Sequence, residues 1–355
     1  MNTPDDHSRT QRIIVIGASA GGFEAIQTLV AGLPSTLPAS IFIVWHMSPE
    51  VRGILPQVLN KYEGLPAANA YDGELIEQGR IYVAPPDRHL VLEEGRIRVT
   101  RGPKENRFRP AVDPLFRSAA YAYGSRVIGV ILSGALDDGT SGLWAVKQRG
   151  GVAIVQHPRD AAVPSMPESA LREVTVDYSV PIAEMPALLE RLCSEPIIPD
   201  QLNISLDMDE QQQTRAEIRT AMEDTEAARS VMQYGELSPY ACPDCHGVLT
   251  ALREGGRLRF RCHTGHAFST DSLLAAITVH VDDNLWSAIR AVEESMMLMN
   301  QIGDHAAESN QPKLAAKYFQ KAQEADQRLK VLKQFVVTNE PLSNELIAGE
   351  DHESS

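Results

Sequence analysis

RIIVIGASAGGFEAIQTLVAGLP, residues 12–34, is the stretch on which the rest of the chain is organised. Ile13 to Ile16 are four apolar β-branched residues, the composition of a strand buried on both faces. Gly17 ends the strand. Gly21 and Gly22 open a segment whose apolar positions Phe23, Ile26, Leu29 and Val30 fall at helical spacing, so Ser19 sits on a tight strand-to-helix turn. Such a turn lifts a side chain beyond the carboxyl edge of the sheet. It also places it beside unpaired helix N–H groups, those of Ala20 and Gly21, which suit a phosphate or a developing oxyanion.

A dinucleotide-binding turn would need G-x-G-x-x-G, whereas the glycines here are Gly17, Gly21 and Gly22. The second strand, SIFIVWHM, also ends without an acidic residue for a ribose. Gly17-Ala18-Ser19-Ala20-Gly21 instead matches the G-x-S-x-G pattern of a nucleophile elbow. By itself that pattern also fits a packing turn, and its meaning depends on a base and an orienting acid at other strand ends.

The 355 residues suffice for two domains, or one large domain with an extension. The chain is 43% hydrophobic and 23% charged, ordinary for a globular protein, and its net charge of −14 argues against nucleic acid or an anionic membrane as the main partner. No apolar run is long enough to insert in a bilayer, and the first residues lack a signal-peptide core. Three of the four cysteines cluster, favouring a metal site in a reducing cytoplasm over disulfides.

Strand and helix patterns alternate through the first half: SIFIVWHM with His46 at its end, a helix over Val51 to Tyr62, a hairpin-like region over residues 73–102, a helix over Pro114 to Tyr123, and RVIGVILSG followed by Asp137 and Asp138. Helix, strand VAIVQHP, helix, strand VTVDYSV and a last helix complete the alternation. This predicts an α/β fold with a doubly wound, mostly parallel sheet, followed by a small zinc ribbon and an α-helical hairpin. Ser19, His46 and Asp138 then lie at three strand ends, where such sheets bind ligands. A serine needs an imidazole to take its proton, and the imidazole needs a carboxylate to fix its tautomer. Singly, each residue also has a bland reading: a packing turn, a strand-end histidine bonded to backbone, a helix cap before Gly139.

IGASAGG, the histidine of VWHMSP, RPAVDPLFRSAA and LSGALDDGTSG together closely resemble the catalytic domain of bacterial chemotaxis protein-glutamate methylesterases. The resemblance covers about Arg12 to Cys193. It implies hydrolysis of glutamyl methyl esters, and deamidation of certain glutamines, on the cytoplasmic helical part of methylated chemoreceptors or receptor-like coiled coils. It also implies Ser19 as nucleophile, His46 as base, Asp138 as orienting acid, and no cofactor for catalysis. Two features depart from the family pattern. Its T-G-M-G-x-D-G reads here Ser133-Gly134-Ala135-Leu136-Asp137-Asp138-Gly139, and only about eleven residues precede the first strand, where the family carries a receiver domain.

Cys242-x2-Cys245, sixteen residues, then Cys262-x3-His266 gives two knuckles joined by a hairpin turning at Gly255-Gly256. Thiolates with a neutral imidazole suit a closed, structural tetrahedral zinc. His246 and His263 compete for the fourth place, and His266 is preferred because His263 directly follows a ligand cysteine. The segment resembles the zinc-ribbon tail of receiver-less methylesterase-like proteins.

The expected division is a disordered N-terminus (1–11), a catalytic domain (12–195), a linker (196–213), a helix (214–236), the ribbon (237–270), a helical hairpin (271–338) and a disordered tail (339–355). As a flexible coil, the linker is long enough for ribbon and helices to reach the sheet's carboxyl edge. In the hairpin, Leu285, Ile289, Val292, Met296 and Met299 form one stripe, and Tyr318, Ala322, Ala325, Leu329 and Leu332 another. The simpler reading is that the stripes bury each other. The alternative is pairing with a partner coiled coil, in a homodimer or on a receptor helix. A different class of function, a zinc-ribbon scaffold with an inactive methylesterase-like domain, is distinguished by whether the three triad residues align.

Overall fold

The computed structural model describes residues 11–46, 53–197 and 208–338. The chain divides into two compact units, Met1–Leu273 and Leu274–Ser355.

In the first unit, β1 (Arg12–Ala18) leads through α1 (Gly22–Ala31) to β2 (Ala39–Trp45). Next come α2 (Leu55–Leu59), β3 (Ala67–Asn69), β4 (Arg80–Val83), β5 (His89–Glu93), β6 (Arg96–Thr100) and α3 (Val112–Tyr123). The alternation resumes with β7 (Val127–Ile131), α4 (Thr140–Gln148), β8 (Val152–Gln156), α5 (Ser165–Glu173), β9 (Tyr178–Val180) and α6 (Met185–Ser194). The main sheet has the order β3-β4-β2-β1-β7-β8-β9, and every pairing in it is parallel.

β1 is buried along its whole length because both of its faces are covered. Ile13 and Val15 pack with Val112, Leu115 and Phe116 of α3, while Ile14 and Ile16 pack with Ile26 and Leu29 of α1 and Leu189 of α6. Side chains alternate across a strand, so burial on both sides demands the continuous apolar run seen in the sequence. The chain runs from β1 to β2 on one side, and β7 lies on the other. The strand order therefore reverses at β1, and a crevice opens beyond its carboxyl end.

Several expected boundaries move. The helix read over Val51 to Tyr62 is confined to α2 among the described residues. The region 73–102 is not one hairpin: β5 and β6 pair antiparallel, turning at Glu94-Gly95, and Leu75 bridges Arg96 antiparallel outside any strand. β4 instead extends the main sheet beside β2, because Ile81, Tyr82 and Val83 are buried on both faces and a hairpin arm would expose one.

The expected linker also needs correction. Residues 198–207 lie outside those described, but α7 (Met208–Ala221) already begins within the span read as linker, and Glu217, Thr220 and Ala221 on it are buried. The single helix expected over 214–236 is two, α7 and α8 (Thr225–Val231). The break has Glu223 at φ 69°, and Asp224 accepts from the N–H groups of Glu226 and Ala227 to cap α8. The ribbon strands β10 (Glu236–Ala241), β11 (Val248–Glu254), β12 (Arg257–Cys262) and β13 (Ala267–Ser269) form a four-stranded antiparallel sheet. The ribbon belongs to the same compact unit as the parallel sheet.

The ion pairs across that seam give the reason. Glu105 accepts from Arg117 (3.1 Å) of α3 and from Arg259 (3.2 Å) and Arg261 (2.9 Å) of β12. Glu217 of α7 meets Arg117 and Arg259, both at 3.0 Å, and Glu254 of β11 meets Arg259 at 2.8 Å. Burial would push the Glu105 carboxyl up, yet the guanidiniums of Arg117, Arg261 and Arg259 hold it well below the usual carboxylate range.

α9 (Thr270–Glu308) starts at the end of β13 and continues into the second unit, where α10 (Pro312–Thr338) returns beside it. The expected stripes are the inner faces: Ile289, Ala322 and Leu329 are buried, and Leu285, Val292, Met296, Tyr318 and Leu332 half-buried. A Cβ on Gly303 would come 2.7 Å from Phe319, which marks a close helix approach, and Lys333 pairs with Glu293. No helix among the described residues is long and apolar enough to cross a membrane.

Candidate active site and metal site

Ser19 follows β1 and His46 follows β2, and the parallel register that pairs Gly17 with Val44 and Ala18 with Trp45 carries these next two residues side by side. The His46 N–H donates to the Ala18 carbonyl (3.0 Å) and the Ser19 N–H to the Ser133 carbonyl (3.0 Å), so both ends are pinned by extensions of the sheet ladder. Gly21 takes a left-handed φ of 68° where the chain turns into α1, and a Cβ there would come 2.6 Å from Ala162 and 2.8 Å from the Ser133 hydroxyl. Gly134 is equally constrained: a Cβ would lie 2.0 Å from the sulfur of Met166 and 2.9 Å from the Ser19 Cβ. The Ser133 of the departing motif keeps a hydroxyl that donates to the Ala20 carbonyl (2.7 Å) and accepts from the Val163 N–H (2.9 Å).

Ser19 Oγ lies 3.3 Å from His46 Nδ1, and His46 Nε2 donates to Asp138 Oδ2 at 2.8 Å. With the proton on Nε2, the Nδ1 lone pair faces the serine hydroxyl. Ser19 and His46 each keep 9% exposure, whereas Asp138 keeps 1%, so the hydroxyl end of the chain is the end that solvent reaches. The neighbouring Asp137 does not bond His46. It accepts from the Ser269 hydroxyl (2.7 Å), and burial pushes its carboxyl up to about 7.

Asp138 also accepts from the Val112 N–H (2.6 Å), the Asp113 N–H (3.3 Å) and Asn106 Nδ2 (2.8 Å). Burial opposes its charge, but the His46 ring and these N–H donors outweigh burial and lower its pKa. Asp113 ties the two flanking elements together, accepting from Gly139 (3.1 Å), Gly142 (2.7 Å) and Asn106 Nδ2 (2.9 Å). Burial and then the Asp138 charge raise it to about 7. The Phe108 ring stacks on His46, centroids 3.8 Å apart and 13° from parallel. The backbone N–H groups of Ala20 and Gly21 make no hydrogen bond to the described residues, and both sit at the amino end of α1 beside Ser19.

Sequence reasoning missed Asn106, Phe108, Asp113, Ser269 and Ser272 around this site. Asp113 lay inside the RPAVDPLF motif and could have been singled out. Asn106 and the two serines carried no local signal, because the contacts joining them span more than 160 residues of chain. A polar cavity of about 270 Å³, lined by Asp113, Asp137, Arg172, Arg257, Arg259 and Ser269 among others, opens where ribbon and parallel sheet meet, away from Ser19.

The ribbon brings Cys242, Cys245, Cys262 and His266 together, with all four donor atoms within 4.8 Å of one another. Cys242 Sγ and Cys262 Sγ lie 3.7 and 3.6 Å from His266 Nδ1, and Cys245 Sγ lies 3.6 Å from Cys262 Sγ. A tetrahedron with metal–sulfur bonds of about 2.3 Å and a metal–nitrogen bond of about 2.0 Å has edges of roughly 3.5–3.8 Å, so the donor set fits zinc. His263 packs on Gly247 instead of joining the cluster. The Thr264 hydroxyl, 2.9 Å from Cys262 Sγ and 3.2 Å from His266 Nδ1, is a further polar neighbour that spacing did not suggest.

The CheB methylesterase family model matches residues 14–189. A "Putative protein-glutamate methylesterase/protein-glutamine glutaminase" of Leptospira interrogans (strain Fiocruz L1-130) is 38% identical over 180 residues, which is 50% of this chain and 93% of that protein. A protein-glutamate methylesterase/protein-glutamine glutaminase 2 of Anaeromyxobacter dehalogenans (strain 2CP-C) is 39% identical over 180 residues, 51% of this chain and 53% of that protein. The crystal structure of the Thermotoga maritima CheB methylesterase catalytic domain aligns with 51% of this chain and 98% of its own, at 36% identity and a TM-score of 0.50. With 93% of a relative covered at 38% identity, the chain belongs to the CheB methylesterase family.

Proposed function

We propose that the protein hydrolyses glutamyl methyl esters, and deamidates glutamines, on a chemoreceptor or a receptor-like helical protein in the cytoplasm, using Ser19, His46 and Asp138. The observation that carries this is the unbroken hydrogen-bond chain Ser19–His46–Asp138, at 3.3 and 2.8 Å, on the carboxyl edge of the sheet. Ser19 Oγ attacks the ester carbonyl as its proton passes to His46 Nδ1. Asp138, fixed by its other donors, holds the Nε2 proton and stabilises the imidazolium. The tetrahedral oxyanion is held by the N–H groups of Ala20 and Gly21. Collapse expels methanol, protonated by His46, and leaves a glutamyl ester on Ser19. Water, deprotonated by the same imidazole, then releases the free glutamate and restores the serine.

The Cys242, Cys245, Cys262 and His266 set holds a structural zinc, which when bound crosslinks the two knuckles of a ribbon with few apolar residues of its own. Catalysis needs no cofactor, because every role is filled by the chain.

Incubating the full-length protein with methyl-labelled receptor tests the assignment. Labelled methanol should be released by the wild type and not by Ser19→Ala. Equal release by both would end the serine-esterase reading.

A further inference from the structure

We propose that the ribbon is a working part of the esterase: through the loop formed by residues 104–109 it positions the triad, with Asn106 and Phe108 as its two contacts. The inference rests on the triad reading above.

The loop is gripped on one side by the ribbon. The Asn106 N–H donates to the Ala267 carbonyl (2.8 Å), and the Ala267 N–H donates to the Lys104 carbonyl (3.1 Å), so β13 runs beside the loop like an added strand. Glu105 is held by Arg259 and Arg261 of β12. Asn106 Oδ1 accepts from the Ser269 N–H (3.0 Å) and the Ser272 hydroxyl (3.2 Å), both contributed by the chain that leaves the ribbon. On its other side the loop touches two members of the triad. The Asn106 amide group donates to Asp138 (2.8 Å) and to Asp113 (2.9 Å), and Phe108 lies flat on the His46 ring.

Two further observations make this more than packing. Asn106 and Arg107 take successive left-handed conformations, φ 50° and 75°, which non-glycine residues adopt at a cost, so outside contacts must hold the loop in shape. Both ends of the Asn106 side-chain amide are also hydrogen-bonded. Its oxygen accepts from Ser269 at the end of β13 and from Ser272 in the first turn of α9, which aims its NH₂ between two carboxylates that would otherwise repel each other. Loss of the Ser269 and Ser272 donors would free the amide to swing, and Asp138 would lose the one side-chain donor that, with the Val112 and Asp113 N–H groups, sets its angle to His46. The family match ends at residue 189, before the ribbon begins, so Ser269 and Ser272 act on this triad from outside the matched domain.

The test uses the full chain as wild type, Ser272→Ala, Asn106→Ala and Ser19→Ala. It reads kcat and KM on 4-nitrophenyl acetate together with the low-field proton resonance of the His46–Asp138 hydrogen bond. Supporting interactions of this kind are worth about 10–100-fold. The expected result is a kcat lowered roughly 10-fold in Ser272→Ala and about 100-fold in Asn106→Ala, with KM within about twofold, and a resonance shifted or broadened in both. If Asn106→Ala does not fold, Ser272→Ala decides alone. A lowered melting temperature with kcat and resonance unchanged would mean the ribbon only docks, and would overturn the proposal. If wild type and Ser19→Ala hydrolyse the ester equally, the esterase reading fails and the resonance still decides whether the ribbon positions His46 and Asp138.

Discussion

Glu105→Gln is the sharpest probe of how the ribbon is held. At the seam, Arg117, Arg259 and Arg261 face Glu105, Glu217 and Glu254. The three arginines, Glu105 and Glu217 are each 3% exposed or less. Three positive charges thus meet three negative ones almost without water. Glutamine keeps the shape and one acceptor but leaves the cluster one positive charge in excess. A single pair at about 4 Å is worth around 4 kcal/mol at an effective dielectric near 20. Removing one partner of a buried pair costs about 3–5 kcal/mol in practice. For a unit of this size each kcal/mol moves the midpoint about 2–4 °C, so Tm should fall by roughly 6–20 °C. The assay is urea and thermal unfolding of the full chain, followed by circular dichroism and by tryptophan fluorescence, to which Trp144, with Arg257 of the ribbon stacked on it at 4.7 Å, contributes. Glu105→Gln combined with Arg261→Met restores the charge balance and should recover at least about 1 kcal/mol relative to the sum of the single losses. A single loss under about 1 kcal/mol, or simple additivity in the double variant, would refute the reasoning.

Three further outcomes are expected. Asp138→Asn should lower kcat on the receptor ester by on the order of 10³-fold or more, while Asp137→Asn, whose oxygen can still accept from Ser269, should lose less than about fivefold; rates ranked the other way would reassign the acid. Full-length protein should carry about one zinc per chain, and Cys242→Ser should lose it; metal analysis that finds no thiophilic metal would remove the zinc assignment. The folded Asp137 pKa, raised to about 7, lies above the unfolded value near 3.8. Its contribution to stability is therefore full below about pH 3.8 and is lost as pH rises through about 7. Asp137→Asn should thus be more stable than wild type at pH 8 by up to about 4 kcal/mol, a gap that closes toward pH 4. A gap independent of pH would show that the carboxyl is not perturbed.

The parts of the molecule that a local pattern can encode were legible in the sequence. A strand covered on both faces must be apolar throughout, so RIIVI announced the centre of a parallel sheet. A turn into a helix needs glycines, so Ser19 was placed on it. Parallel strands put their carboxyl ends on one edge, which already gathered Ser19, His46 and Asp138. Spacing pointed to Cys242, Cys245, Cys262 and His266 as one cluster, because each knuckle is a local structure. The hairpin arms misread over 73–102 show the limit: β4 and a hairpin strand share the same alternation, and only the parallel neighbour β2 decides between them. The linker failed for a similar reason. Residues 208–212 are exposed as their composition suggests, but they already belong to α7, whose later turn is anchored where Glu217 finds Arg117 and Arg259 on distant elements. Asn106, Phe108, Ser269 and Ser272 belong wholly to the tertiary structure. A hydrogen bond between residues more than 160 positions apart leaves no periodicity and no spacing in the chain, and it exists only once ribbon and parallel sheet pack across a set of buried opposite charges.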